Sequence, residues 1–145
     1  MKNILFVCTG NINRSAAAEI MFNAIFKKIA HAKSCAVNGK SGVPITPKMT
    51  KVLIDNGFPQ TSHRSTAISN ELLDWADIII GFQPSHLTNI AKRGHRAINI
   101  VDFIPGNKQK KVPDPHFDSS GKTHKVVYAM IAAALPGIID AIDQL

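Results

Sequence analysis

Cys8 and Arg14 stand six positions apart in Cys8-Thr9-Gly10-Asn11-Ile12-Asn13-Arg14-Ser15. The segment follows the apolar run Ile4-Leu5-Phe6-Val7 and precedes the helix-forming stretch Ala16-Ala17-Ala18-Glu19. A strand, a short loop and a helix in that order gather the loop N–H groups and the helix N-terminus around one point, where a phosphate-like dianion is stabilised. The same positive end favours the thiolate of Cys8, which can attack phosphorus. A planar guanidinium six positions on can grip two equatorial oxygens of the transferring group. This is the chemistry of a cysteine-dependent phosphatase. Gly10 lets backbone approach a ligand, and Asn11 tolerates the left-handed conformation that a tight loop needs. Ser15 is expected to cap the helix and to offer its hydroxyl to the Cys8 sulfur.

A lone Cys at a strand end is more often a packing residue, and the Cys-to-Arg spacing alone is a weak motif. The surrounding pattern is stronger. The loop resembles that of the low-molecular-weight protein tyrosine phosphatases, C-x-G-N-x-x-R-S after a first strand. Late in the chain Val112-Pro113-Asp114-Pro115-His116-Phe117 resembles the Asp-Pro pair that carries that family's general acid. Between them, Ser34-Cys35-Ala36-Val37 with Gly42 and Pro47 resembles the family's second strand and the loop to its second helix, so the likeness runs nearly end to end. It implies that Cys8 is the nucleophile, that Arg14 is the oxyanion clamp and that Asp114 is the acid. It further implies that Thr9, Gly10, Asn11, Ile12, Asn13 and Ser15 line the substrate cradle with Phe117 as one wall. A phosphocysteine intermediate, no cofactor and no metal belong to the same expectation. The expected partners are a phosphorylated protein or a small phosphate ester, with phosphotyrosine or an aryl phosphate as the group hydrolysed, and inorganic phosphate as product.

Two departures narrow this picture. Asn13 stands where many eukaryotic members have a second Cys, so the disulfide switch with the nucleophile is absent; Cys35, the other thiol, lies in an apolar strand and reads as core. Asn38-Gly39-Lys40 stands where members that favour aryl phosphates have an aromatic wall. Ile12, two positions before Arg14, favours phosphotyrosine, whereas Thr there goes with phosphoarginine in relatives. His63-Arg64-Ser65 falls where the family has a basic turn and is expected to brace the loop. Asp118 is the rival to Asp114 as the acid, but Pro113 and Pro115 stiffen the backbone of Asp114 and single it out.

The elements that must position these groups alternate as strands and helices, which argues for a parallel sheet covered on both faces. The fold class is α/β: one domain over 1–145, a three-layer sandwich with a four-stranded parallel sheet and helices on both sides. Strands are expected at 3–7, 33–37, 78–80 and 97–100. Helices are expected at 15–28, 47–55, 70–75, 84–91 and 123–143, with Ile20, Phe22, Ala24, Ile25 and Ile29 supplying the apolar surface of the first and Pro136 kinking or breaking the last. The long segment 102–122 carries the Asp-Pro pair back over the sheet to Cys8.

The 145 residues, 45% of them hydrophobic, are enough for one substantial core. No apolar stretch near 18 residues stands out, and the N-terminus runs straight into the first strand, so a soluble, cytoplasmic protein without membrane contact is expected. Two unpaired cysteines suit a reducing compartment. The balance of 17 Lys and Arg against 10 Asp and Glu gives +7. Much of the excess lies between Leu87 and Lys125, where it would draw acidic or phosphorylated partners. Without zinc-finger or aromatic RNA-binding patterns, nucleic-acid binding is the minority reading, and the six His residues show no metal-ligand spacing. A monomer is expected. Arsenate reduction on the same scaffold would need more cysteines than this chain has, or an external thiol; a non-catalytic oxyanion-binding module would need neither nucleophile nor acid.

Overall fold

The computed structural model describes residues 1–145. Strand β1 (Lys2–Cys8) leads into helix α1 (Arg14–Phe26), then β2 (Ala30–Ala36), α2 (Pro47–Asp55), α3 (Asn70–Trp75), β3 (Ile78–Gly81), α4 (Pro84–Lys92) and β4 (Ile98–Asn99). A 3-10 turn (Ile100–Phe103) and a long loop then precede α5 (Lys122–Asp143). The strands pair in the order β2-β1-β3-β4, all parallel, with Cys8 opposite Ala36 and Val7 opposite Gly81.

The three layers follow from the period of two along β1. Ile4, Phe6 and Cys8 face one side, where residues of α1, α2 and α5 close the larger core; Leu5 and Val7 face the other, with Cys35, Leu73, Ile79 and Ile90 beneath α3 and α4. A central parallel strand buried on both sides should be apolar throughout, and Ile78-Ile79-Ile80 is. Ala16, Ala17 and Ala18 are fully buried, so small side chains bring the first turn of α1 close to the sheet.

Several local expectations need correction. Ser15 does not cap α1: the cap position is Asn13, without a side-chain cap bond, and Ser15 lies inside the helix with its hydroxyl turned to Cys8. Ile25 and Ile29 are exposed rather than core, because they fall on the solvent side of α1 and beyond its end. Strand β2 begins at Ala30, three residues early, because Lys2 of β1 already pairs there. Strand β4 is cut to two residues because Asn99 accepts the Val101 N–H and starts the 3-10 turn. Pro136 sits inside an uninterrupted α5, which is long and apolar enough by length and composition to cross a membrane. Its Val127, Ile131, Leu135, Ile138 and Ile142 are instead buried in the larger core.

In this strand order the chain leaves β1 for one edge and returns through β3 to the other. In open parallel sheets the crevice at such a reversal, outside the carboxyl ends of the strands, is where ligands bind. Cys8 ends β1 at that crevice, and Gly81-Phe82-Gln83 follows from the end of β3.

Candidate active site

The loop between β1 and α1 is wound with its carbonyls outward. Cys8 O accepts from Val37 N (2.9 Å), Thr9 O from Asn38 N (3.0 Å) and Ile12 O from Thr46 N (3.1 Å). Asn11 is the one non-glycine residue with positive φ, at 58°. Its side chain makes that conformation specific: Oδ1 accepts from Thr66 N (2.9 Å), and Nδ2 donates to Ser15 Oγ (2.7 Å) and Ser34 Oγ (2.8 Å). The Thr46 hydroxyl, which caps α2 through Met49 N, donates to Asn13 Oδ1, so the two helices share one anchored start.

With the carbonyls tied outside, the amides are free for the interior. Asn11 N and Ser15 N donate to Cys8 Sγ at 3.3 and 3.4 Å. Ser15 Oγ lies 2.8 Å from the same sulfur and already accepts from Asn11, so its own proton is available to Sγ. The Asn11 and Ser15 amides and the Ser15 hydroxyl thus converge on one sulfur. The N–H groups of Thr9, Gly10, Ile12, Asn13 and Arg14 have no partner in the protein. Of the seven amides from Thr9 to Ser15, two are thus turned to the Cys8 sulfur.

Arg14 carries a full charge at 2% exposure, which requires compensation. Nη1 donates to Gln83 Oε1 (2.6 Å) and Val112 O (3.0 Å), Nη2 donates to Thr9 Oγ1 (3.3 Å), and Asp114 Oδ2 lies 3.5 Å from Nη2. Only one of these four partners is a carboxylate, half exposed at the cleft mouth. A bound dianion is the natural remaining counter-charge.

Cys8, Thr9, Gly10, Asn11, Ile12, Asn13, Arg14, Asn38, Asp114 and His116 line one cavity of about 220 Å³. Asp114 reaches it because Val112 N bonds Phe82 O (2.9 Å) and because its Oδ1 accepts from His116 N (3.0 Å). Asp118 lies outside this cavity, in the adjoining groove. Its oxygens accept from Ser120 N, Ser120 Oγ and Thr123 N, holding its carboxyl well below the usual range at the start of α5. Phe117 is 95% exposed, stacked edge-on against His116 with ring centres 4.6 Å apart. It borders an adjoining groove with Lys48 and His124 rather than the cradle itself.

His63 is the brace that its position suggested. Nε2 meets Asn11 O and Nδ1 meets Glu19 Oε2, both at 3.3 Å. Both partners are acceptors, so the protonated ring satisfies both with a donor and the neutral ring only one. Burial alone would push His63 down, yet the Glu19 carboxylate and the Asn11 carbonyl raise it overall. Cys35 is fully buried beside Val7 on the face of the sheet opposite Cys8, and burial pushes its thiol up to about 12. Sequence reasoning gave no site role to Gln83, and it considered His86 only among six histidines without metal-ligand spacing. Their only signal was their place just after β3, the strand next to β1 at the chain reversal.

The model of the low molecular weight phosphotyrosine protein phosphatase family matches residues 3–145. A low molecular weight protein-tyrosine phosphatase A of Mycobacterium tuberculosis is 29% identical over 153 residues, covering 98% of this chain and 92% of its own. A protein-arginine-phosphatase of Bacillus subtilis is 35% identical over 115 residues, covering 72% of this chain and 74% of its own. Among solved structures, a low molecular weight protein tyrosine phosphatase from T. tengcongensis superposes with a TM-score of 0.86 at 27% identity, covering 97% of this chain and 99% of that one.

Proposed function

Since the chain belongs to the low molecular weight phosphotyrosine protein phosphatase family, we propose that it hydrolyses phosphotyrosine in proteins, or small aryl phosphates, through a phosphocysteine. The observation that carries this reading is the convergence of Cys8, Arg14 and Asp114 on one cavity, with Arg14 bridging to Asp114 at 3.5 Å. The Cys8 thiolate attacks phosphorus in line, and the S–P bond forms as the ester P–O bond breaks. Asp114 in its acid form gives its proton to the leaving oxygen. Water then attacks the phosphocysteine, losing a proton to Asp114, and releases inorganic phosphate and the thiolate. Through both steps Arg14 and the free amides of Thr9, Gly10, Ile12, Asn13 and Arg14 meet the equatorial oxygens, where charge gathers.

Arsenate reduction with an internal shuttling thiol loses its candidate, because Cys35 lies across the sheet from Cys8 and is held as a thiol. A second reading, hydrolysis of phosphoarginine, is favoured by the 35% identity to the Bacillus subtilis protein-arginine-phosphatase. Ile12 on the cavity wall favours the tyrosine ester. A reducing cytoplasm suits a nucleophilic thiolate.

The test is p-nitrophenyl phosphate hydrolysis by wild type, Cys8→Ser and Asp114→Asn between pH 5 and 8 with chelator present, followed by phosphotyrosine and phosphoarginine peptides. Turnover should vanish with Cys8→Ser and fall by about 10²-fold to 10⁴-fold with Asp114→Asn. Retained activity in Cys8→Ser would overturn the mechanism, and a kcat/KM higher on phosphoarginine would transfer the substrate assignment.

A further inference from the structure

We propose that the Thr9 hydroxyl is a side-chain donor to the bound oxyanion and that His86 is the positioning residue that fixes its direction. The inference rests on the phosphatase reading above and adds two roles to it, since Thr9 was expected only as part of the loop and His86 not at all.

The polarity can be followed atom by atom. The Phe82 N–H points at His86 Nδ1 at 3.0 Å, and a backbone N–H can only donate, so Nδ1 holds a lone pair. The ring proton is therefore on Nε2, which lies 3.0 Å from Thr9 Oγ1 and donates to it. Arg14 Nη2, also an obligatory donor, reaches the same oxygen at 3.3 Å. Both lone pairs of Oγ1 are then engaged. The hydroxyl proton has no acceptor among these neighbours and is left for the cavity that Thr9 lines. There the acceptor is an oxygen of the bound anion. Without His86, the hydroxyl would rotate and present either a proton or a lone pair; with it, only the proton is presented.

The surroundings hold this arrangement in place. His86 is fully buried at the start of α4, and a Cβ on Gly81 would come within 2.9 Å of His86 Cβ, so the glycine is what lets the ring sit against the end of β3. An imidazolium would place a proton on Nδ1 against the Phe82 N–H. Burial and the neighbouring Arg14 charge keep His86 neutral down to about 4.

The experiment compares wild type, Thr9→Ser, Thr9→Val, His86→Asn and the Thr9→Val/His86→Asn double variant. Inorganic phosphate affinity is measured by calorimetry, and kcat/KM with p-nitrophenyl phosphate. Thr9→Val should weaken phosphate binding and lower kcat/KM by roughly 10-fold each, as expected for one lost donor to an anion among several. Thr9→Ser, which keeps the hydroxyl, should stay within about 2-fold of wild type on the same scale. His86→Asn retains an oxygen to accept the Phe82 N–H but has no atom at the Nε2 position. It should cost a few-fold alone and nothing further on top of Thr9→Val, whereas a merely structural His86 would cost the same in both backgrounds. Undiminished phosphate affinity in Thr9→Val, or full additivity in the double variant, overturns the proposal. Should Thr9→Val fail to fold, Thr9→Ala against Thr9→Ser carries the same comparison. A wild type that binds phosphate without hydrolysing the ester would instead overturn the phosphatase reading, because calorimetry needs no turnover.

Discussion

Replacing Asn11 by Ala isolates the residue on which the whole cradle turns. The side chain is fully buried and makes three hydrogen bonds, to Ser15 Oγ, Ser34 Oγ and from Thr66 N. A net contribution near 1 kcal/mol for each, with a further penalty of about 1–3 kcal/mol for leaving the Thr66 N–H without its partner, sums to roughly 4–6 kcal/mol. That is a large share of the roughly 5–15 kcal/mol that holds an ordinary domain together. Asn11→Gly loses the same bonds but meets no Cβ penalty at a φ of 58°, so it should be about 1 kcal/mol less destabilised than Asn11→Ala. Urea unfolding at neutral pH, with the slope unchanged, reads both values. The chemistry should fall with the stability: once Ser15 Oγ no longer accepts from Asn11, its proton is no longer directed to Cys8 Sγ, and alkylation of Cys8 by iodoacetamide should slow. A cost below about 1 kcal/mol for Asn11→Ala, or equal stability of the Ala and Gly variants, would refute the claim that this side chain holds the loop in a strained turn.

Gly137→Ala should destabilise by about 1–3 kcal/mol in a thermal melt, because its Cβ would meet Phe103 O at 2.8 Å where α5 packs on the 3-10 turn; an unchanged midpoint would mean the helix shifts at no cost. Stability should also drain in acid through His86. The folded state keeps it neutral to about 4, whereas the unfolded chain binds the proton near 6.5. Its contribution is thus full above pH 6.5 and lost as pH falls toward 4, up to about 3 kcal/mol. His63 acts in the opposite sense, since its raised value stabilises the fold at low pH and the benefit fades as pH rises through that value. Urea midpoints of wild type and His86→Asn between pH 4.5 and 7.5 test this, the variant losing the acid slope if the assignment is right.

The site is legible in the sequence to the extent that it is local. Cys8 through Ser15 are contiguous between an apolar run and a helix-forming stretch, so their residue types and context together predict a cradle, and Asp114 is marked by prolines on both sides. The layered sheet follows from alternation with equal directness, and α2 and α3 fall on the expected residues because Thr46 with Pro47 and Ser69 cap them visibly. What spacing does not carry is the allocation of the loop's hydrogen bonds. That two amides serve sulfur and five remain for the ligand depends on which carbonyls the neighbouring segments have already engaged. Gln83 and His86 lie 69 and 77 positions from their partners Arg14 and Thr9. They arrive only because β3 returns beside β1. A buried His in a helix that begins with Pro84 looks like packing until its tautomer is forced by a backbone N–H. The polarity of the cradle is thus a property of the sheet order rather than of the motif. A chain that kept Cys8 to Ser15 intact but lost the β1–β3 register would keep the thiol and lose the direction of its donors.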